Sequence, residues 1–282
     1  MRTAAILCAM LATAAGARPV IAPTFDDLPA HGALPPGETR AGVAGAIIAA
    51  LKQARVPGPH GFVNGALVGA DPAPLAMWRA AGFPIGNHGW SHANLDVTPV
   101  ADYVADIDRN AVPGDGRWFR FPFLAEGKDP KVRQAVRTAL AERGYRIAAV
   151  TMSFGDFLWN DAYARCAGDP AAVAVLERSY LAAASEAAAA SRAAARQRHG
   201  RDIPYVLLLH VGAFDARLLP RLLAQYRREG FGFTTLARAQ RDPAYASDTD
   251  PARPPVPALP LPQVHNYGPM LAALCRPEES AR

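Results

Sequence analysis

Seven short apolar runs, separated by stretches of helical periodicity, constrain this chain more than any other feature of its sequence. They lie at Pro19–Ala22, Gly61–Val68, Phe83–Asn87, Trp118–Phe121, Tyr145–Met152, Tyr205–Leu209 and Phe231–Leu236. Tyr205-Val206-Leu207-Leu208-Leu209 is continuously apolar, as a strand covered on both faces must be. Between the runs, Glu38–Ala54 places Val43, Ile47, Ile48 and Leu51 on one helical face. Asp71 caps a helix that starts with Pro72 and reaches Ala81. Pro99–Asn110, Pro130–Arg143 with Gly144 closing it, and a helix capped by Asp215 and running to Glu229 repeat the pattern. Pro170–His199 is rich in alanine, and its stripe of Val173, Leu176, Tyr180 and Leu181 argues for a packed helix over a linker.

Strands that alternate with helices pair in parallel through right-handed crossovers. The expected class is α/β, a distorted (β/α) barrel of about seven parallel strands, with an open doubly wound sheet as the rival closure. In both, functional groups gather at the carboxyl ends of the strands.

The 282 residues suit one large domain with appendages. The first 17 resemble an export signal: Arg2, an apolar run from Ala4 to Ala15, and Ala15-Gly16-Ala17 as a cleavage site. The run is short for a membrane span, so the mature chain is expected to start near Arg18, free of stable membrane insertion and periplasmic or secreted. An uncleaved anchor is the alternative. Cys8 leaves with the signal. Cys166 and Cys275 then sit in an oxidising space, either joined in an intramolecular disulfide or buried as free thiols. The formal net charge of +5 falls to +4 without Arg2, and the Arg192, Arg196, Arg198 and Arg201 group lies at a helix end. That placement fits a solvated face, and no nucleic-acid partner is expected. From Asp242 to Arg282 the chain turns proline-rich, and the expectation is an irregular tail packed on or trailing from a barrel of residues 18–241.

The chemically loaded residues fall at the ends of the expected strands. Asp26 and Asp27 end the first, where flanking prolines stop the ladder; strand alternation should point them to different sides, one for a metal and one for a proton. His88 and His92 follow the third, Arg120 ends the fourth, Asp156 and Trp159 follow the fifth, and His210 ends the sixth. Two imidazoles at i and i+4 with one carboxylate leave positions open on a divalent ion, as a catalytic site requires. Zinc suits that set best, and cobalt, nickel or iron suit it too.

Thr24-Phe25-Asp26-Asp27-Leu28-Pro29, Asn87-His88-Gly89-Trp90-Ser91-His92, Arg120-Phe121-Pro122-Phe123 and Leu207-Leu208-Leu209-His210 resemble, in the same order, the motifs of the polysaccharide deacetylases of carbohydrate esterase family 4. The resemblance covers roughly Val20 to Leu236 and implies a distorted barrel. Carried over, it implies Asp27, His88 and His92 as metal ligands, Asp26 as general base, His210 as general acid and Arg120 as the partner that orients Asp26. It further implies a glycan substrate and hydrolysis of N- or O-linked acetyl groups. It also implies that Pro122 and Phe123 line the substrate side. The chain departs from the family in having Leu28 for a Gly and Val211 for an Asp, and in spacing Asp156 from Trp159. Asp156 and Trp159 therefore stand as alternative candidates for tuning His210 or lining the acetyl pocket. Trp90, Trp118 and Trp159 are candidates for stacking on sugar rings. The alternative functions are hydrolysis of a small non-sugar amide at the same site and a catalytically inactive glycan-binding barrel.

Overall fold

The computed structural model describes residues 18–110, 117–255, 261 and 265–276. The expected export signal and cleavage site lie outside the described residues, as do parts of the proline-rich tail. Among the described residues no helix is long and apolar enough to cross a membrane.

Seven parallel strands form the sheet: β1 (Val20–Leu28), β2 (His60–Val63), β3 (Ile85–Asn87), β4 (Trp118–Phe119), β5 (Arg146–Ile147), β6 (Tyr205–His210) and β7 (Gly232–Phe233). Their order is β5-β4-β3-β2-β1-β6, with β7 beside the start of β1. Past β5, Thr151 and Met152 exchange backbone bonds with Val206 and Leu208, and Met152 bridges Leu207. That contact brings the two sheet edges together, so the sheet curls into a distorted (β/α) barrel. Helices α1 (Arg40–Gln53), α2 (Gly65–Val68), α3 (Ala73–Ala80), α4 (Val100–Arg109), α5 (Pro130–Glu142), α6 (Phe157–Cys166), α7 (Pro170–His199) and α8 (Ala213–Arg228) surround it.

Several expected boundaries move. β1 does not stop at Ala22 but runs nine residues through Pro23 to Leu28. Pairing with β7 covers Val20 and Ile21 and pairing with β2 begins at Thr24, so the missing N–H of Pro23 falls in the gap between them. The second strand ends at Val63, because the Asn64 N–H turns to the Leu28 carbonyl and α2 begins. The fifth is cut to two residues: the carbonyls of Ala148 and Ala149 are taken by the side chains of Arg120 and Gln240. The stretch after it contains α6. Asp215 is no cap; α8 starts at Ala213, and Asp215 lies wholly buried in its first turn.

α7 is the packed helix expected, buried along Val173, Leu176, Tyr180, Ala183, Ala184, Ala187 and Ala188. Leu181 is half-buried. α6 and α8 pack against this alanine face. At its end Arg192 and Arg196 pair with Asp202, in keeping with a solvated basic face.

The tail is less irregular than its prolines imply. α9 (Leu236–Ala239) and a 3-10 turn at Pro243–Tyr245 lead into α10 (Ala246–Thr249), and α11 (Gly268–Ala273) follows. Pro243 and Pro269 open helical turns, where a missing N–H costs no bond. Buried Arg137 of α5 donates through Nη2 to the carbonyls of Ser247, Asp250 and Arg253. A Cys166–Cys275 disulfide, with Cα atoms 5.4 Å apart, ties the end of α6 to the residues after α11.

Candidate active site

Side chains on neighbouring strand residues should diverge, yet Asp26 and Asp27 converge. Asp27 has a φ of 63°, and the β1–β2 register shifts between Phe25 and Leu28. This left-handed step cancels the alternation. His88 Nε2 consequently lies 3.6 Å from both Asp26 Oδ2 and Asp27 Oδ1.

His88 follows β3, and its Nδ1 sits 2.8 Å from the Arg120 carbonyl. A carbonyl cannot donate, so Nδ1 carries the proton and Nε2 presents a lone pair to the carboxylates. His92 comes back to the same place through a loop in which Asp106 accepts from the N–H groups of Trp90 and Ser91. Its Nε2 is 3.5 Å from Asp27 Oδ1.

The ligating atoms of Asp27, His88 and His92 all lie within 4.8 Å of one another. Donors about 2.1 Å from one ion in tetrahedral disposition are about 3.4 Å apart, too far for a hydrogen bond and close to what is seen. The donor set therefore fits a divalent cation. A second cluster, Asp27, His31 and His210, is also compact. There His31 Nδ1 is 2.6 Å from Asp27 Oδ2, the length of a hydrogen bond and too short for two ligands of one ion.

Burial works to raise the pKa of Asp27. The hydrogen bond from His31 and the charges of His88, His210 and His92 overcome it and hold the carboxyl well below the ordinary range. Asn64 Nδ2 adds a bond of 2.7 Å to Oδ1. Asp26 faces fully buried Arg120, whose Nη1 lies 3.3 Å from each carboxylate oxygen. Arg120 is itself fixed by the Ala148 carbonyl at 2.7 Å and by Thr24 Oγ1 at 3.1 Å.

His210 ends β6 opposite this group. Asp156, at the head of α6, reaches its Nδ1 at 3.0 Å. Burial disfavours the imidazolium, but the charge and hydrogen bond of Asp156, with Asp27 and Asp26 behind it, push the His210 pKa up to about 10. Behind Asp156, Asp215 accepts from Tyr180 and Asn160, each at 2.6 Å. Burial and the neighbouring Asp156 hold the Asp215 carboxyl far above its usual range. Gly212 is needed beside them, since a Cβ there would come within 2.1 Å of Asn160 Nδ2.

Of the alternatives at the fourth motif, Asp156 is the one that touches His210. Trp159 is wholly buried against Phe154, Tyr180 and Tyr267, away from the site. Trp118 is buried as well, and half-buried Trp90 carries the Arg109 guanidinium on its ring. The exposed aromatics at the rim are phenylalanines. Phe123 is 63% exposed with its ring 4.4 Å from that of His92, and Phe157 is 38% exposed and 5.5 Å from His210. Pro122, before Phe123, is buried. His31, Asn64 and Phe157 were not foreseen. His31 had one signal, an imidazole four residues after Asp27, masked by the turn residues around it.

Residues 13–148 match the sequence model of a family described as polysaccharide deacetylase. The match takes in Asp26, Asp27, His88, His92 and Arg120 and stops short of Asp156 and His210. No curated protein matches the sequence. Among solved structures, peptidoglycan deacetylase PdaC from Bacillus subtilis is similar at 18% identity and a TM-score of 0.53, over 80% of this chain and 91% of that one. The polysaccharide deacetylase Bc1974 from Bacillus cereus is similar at 20% identity and a TM-score of 0.52, over 77% and 92%. BA3943, a family 4 carbohydrate esterase pseudoenzyme from Bacillus anthracis, is similar at 14% identity and a TM-score of 0.54, over 79% and 66%. At these identities the likeness is one of fold.

Proposed function

We propose that the chain, residues 13–148 of which match the polysaccharide deacetylase family, is a polysaccharide deacetylase of the carbohydrate esterase family 4 type, a metal-dependent hydrolase removing N- or O-linked acetyl groups from a polysaccharide or oligosaccharide. One observation carries the reading: the Asp27, His88 and His92 donors cluster beside an arginine-held carboxylate and across from a carboxylate-held imidazole. A divalent cation on those ligands, zinc foremost and cobalt, nickel or iron acceptable to the same donors, supplies polarisation of a water and of the acyl oxygen.

The remaining steps fall to side chains. Asp26, facing Arg120 with both oxygens, is oriented to take the proton of the attacking water. His210, kept protonated by Asp156, gives a proton to the leaving amine or alkoxide. Phe123 and Phe157 offer ring faces to a sugar from the two sides of the site, and Pro122 shapes the backbone under Phe123. An amino-sugar polymer such as the peptidoglycan named for the Bacillus subtilis structure is the substrate class this suits.

The disulfide is compatible with action outside the cytoplasm, and we place the mature chain in the periplasm or beyond the cell. Elemental mass spectrometry of the purified mature chain and of His92→Ala, followed by acetate release from acetylated glycans, tests the whole proposal. About one divalent ion per chain, lost in the variant, with acetate released by wild type is the expected result. Metal without turnover on any acetylated glycan leaves a hydrolase of a small non-sugar amide or a binding barrel, and no metal in either protein removes the mechanism.

A further inference from the structure

We propose that His31 is a positioning residue for the metal site, holding the far oxygen of Asp27 so that the near one is presented to the cation. The inference rests on the ligand role given to Asp27 above. Asp27 has two oxygens and two kinds of neighbour. Oδ1 faces His88 and His92 at 3.6 and 3.5 Å and accepts from Asn64 Nδ2 at 2.7 Å, while Oδ2 is taken by His31 Nδ1 at 2.6 Å. A carboxylate in a left-handed backbone step can rotate about its own side-chain bonds unless its second oxygen is tied. A ligand whose other oxygen is hydrogen-bonded keeps one orientation, and the loss of such a partner weakens metal binding.

The backbone makes His31 a fixed donor. Its N–H donates to the Val211 carbonyl at 2.8 Å, and the Val211 N–H donates in turn to the backbone carbonyl of Asp26 at 3.1 Å. The loop is thereby docked between the ends of β1 and β6. One residue on, Gly32 turns through a φ of +65° against α6, where a Cβ would lie 3.2 Å from Asp161 Oδ1. The imidazole is also walled by His210 and Phe157, with ring centroids 4.8 and 5.9 Å away. The side chain thus comes to Asp27 from an anchored loop, not from a mobile one.

The test is zinc affinity, read apart from turnover. Metal-free wild type, His31→Ala, His31→Gln, His31→Leu and His92→Ala are each titrated with Zn2+ against a chromophoric chelator, with thermal midpoints of the metal-free forms beside them. We expect wild type to bind, His92→Ala to lose binding, and His31→Ala to bind about 10–100-fold more weakly at an unchanged midpoint. Gln and Leu are similar in size and differ in having a donor, so His31→Gln should bind more tightly than His31→Leu. Equal affinity in those two, or His31→Ala within twofold of wild type, overturns the inference and leaves the ligand assignment standing. Failure of wild type to bind zinc overturns that assignment first.

Discussion

Asp156 meets His210 twice, accepting the backbone N–H on Oδ2 at 2.6 Å and facing the ring Nδ1 with Oδ1 at 3.0 Å. One carboxylate therefore fixes both the end of β6 and the protonation of its last side chain. Because the His210 pKa is pushed up to about 10, the imidazole is protonated through neutral pH, and an acid role is lost only as pH rises toward that value. Asp156→Asn removes the leading stabilisation of the charged form. A pH profile of acetate release should show the alkaline limb moved to lower pH and kcat/KM down about 100-fold at neutral pH. An unmoved limb would detach Asp156 from the acid.

Asp26 separates from the ligands in the same kind of experiment. Asp26→Asn keeps the shape and removes the proposed base, so turnover should fall about 100-fold or more while metal content stays as in wild type. Near-normal rates would take Asp26 out of the mechanism.

Arg120→Ala should cost stability more than any rim substitution. It leaves the Asp26 charge, the Thr24 hydroxyl and the Ala148 carbonyl buried without their partner. Breaking a buried pair in this way costs about 3–5 kcal/mol, to be read in urea unfolding.

His60 gives an acid sensitivity unconnected with turnover. Burial, reinforced by the Arg120 charge, holds its imidazole down at about 3. The unfolded chain takes up that proton near the ordinary 6.5 and the folded one does not, so stability falls as pH drops from about 6.5 toward 3. The slope is at most about 1.4 kcal/mol per pH unit from this one group. Urea midpoints across that window should fall less steeply in His60→Gln than in wild type.

Phe123 should report on sugar binding. Its ring is exposed, and its centroid lies 4.4 Å from that of His92. Phe123→Ala should raise KM for a glycan severalfold, matching about 1 kcal/mol of stacking, with kcat little changed. An unchanged KM would remove the ring from the subsite.

The parts of this fold legible in the sequence are those fixed by periodicity and chemistry over short spans. The apolar run at Tyr205–Leu209 and the alanine-rich helix are where the pattern places them, because burial on both faces or along one face leaves an unambiguous signature. His88 and His92 were legible by spacing. What escaped depends on backbone steps and distant partners. The convergence of Asp26 and Asp27 needs a positive φ that aspartate tolerates and no pattern announces. Asp215 has the profile of a cap and becomes a buried acceptor because Tyr180 and Asn160 arrive from other helices. Trp159 looks like a site residue from its place after Asp156, yet one turn of α6 carries it into the core.

The place of β1 in the sheet has a consequence for redesign. Along the order β4-β3-β2-β1-β6, the proposed ligands and base arrive from β1 and the end of β3, with Arg120 holding the base from the end of β4, and the proposed acid from β6 on the other side. β1 pairs with β2 on one side and β6 on the other, so it stands between the two groups, and His31 in the loop after it reaches both Asp27 and His210. The proposed cation ligands thus all come from residues before 150, and the proposed proton donor and its carboxylate from residues after it, so a different leaving group is to be sought in the second part of the chain and a different cation in the first.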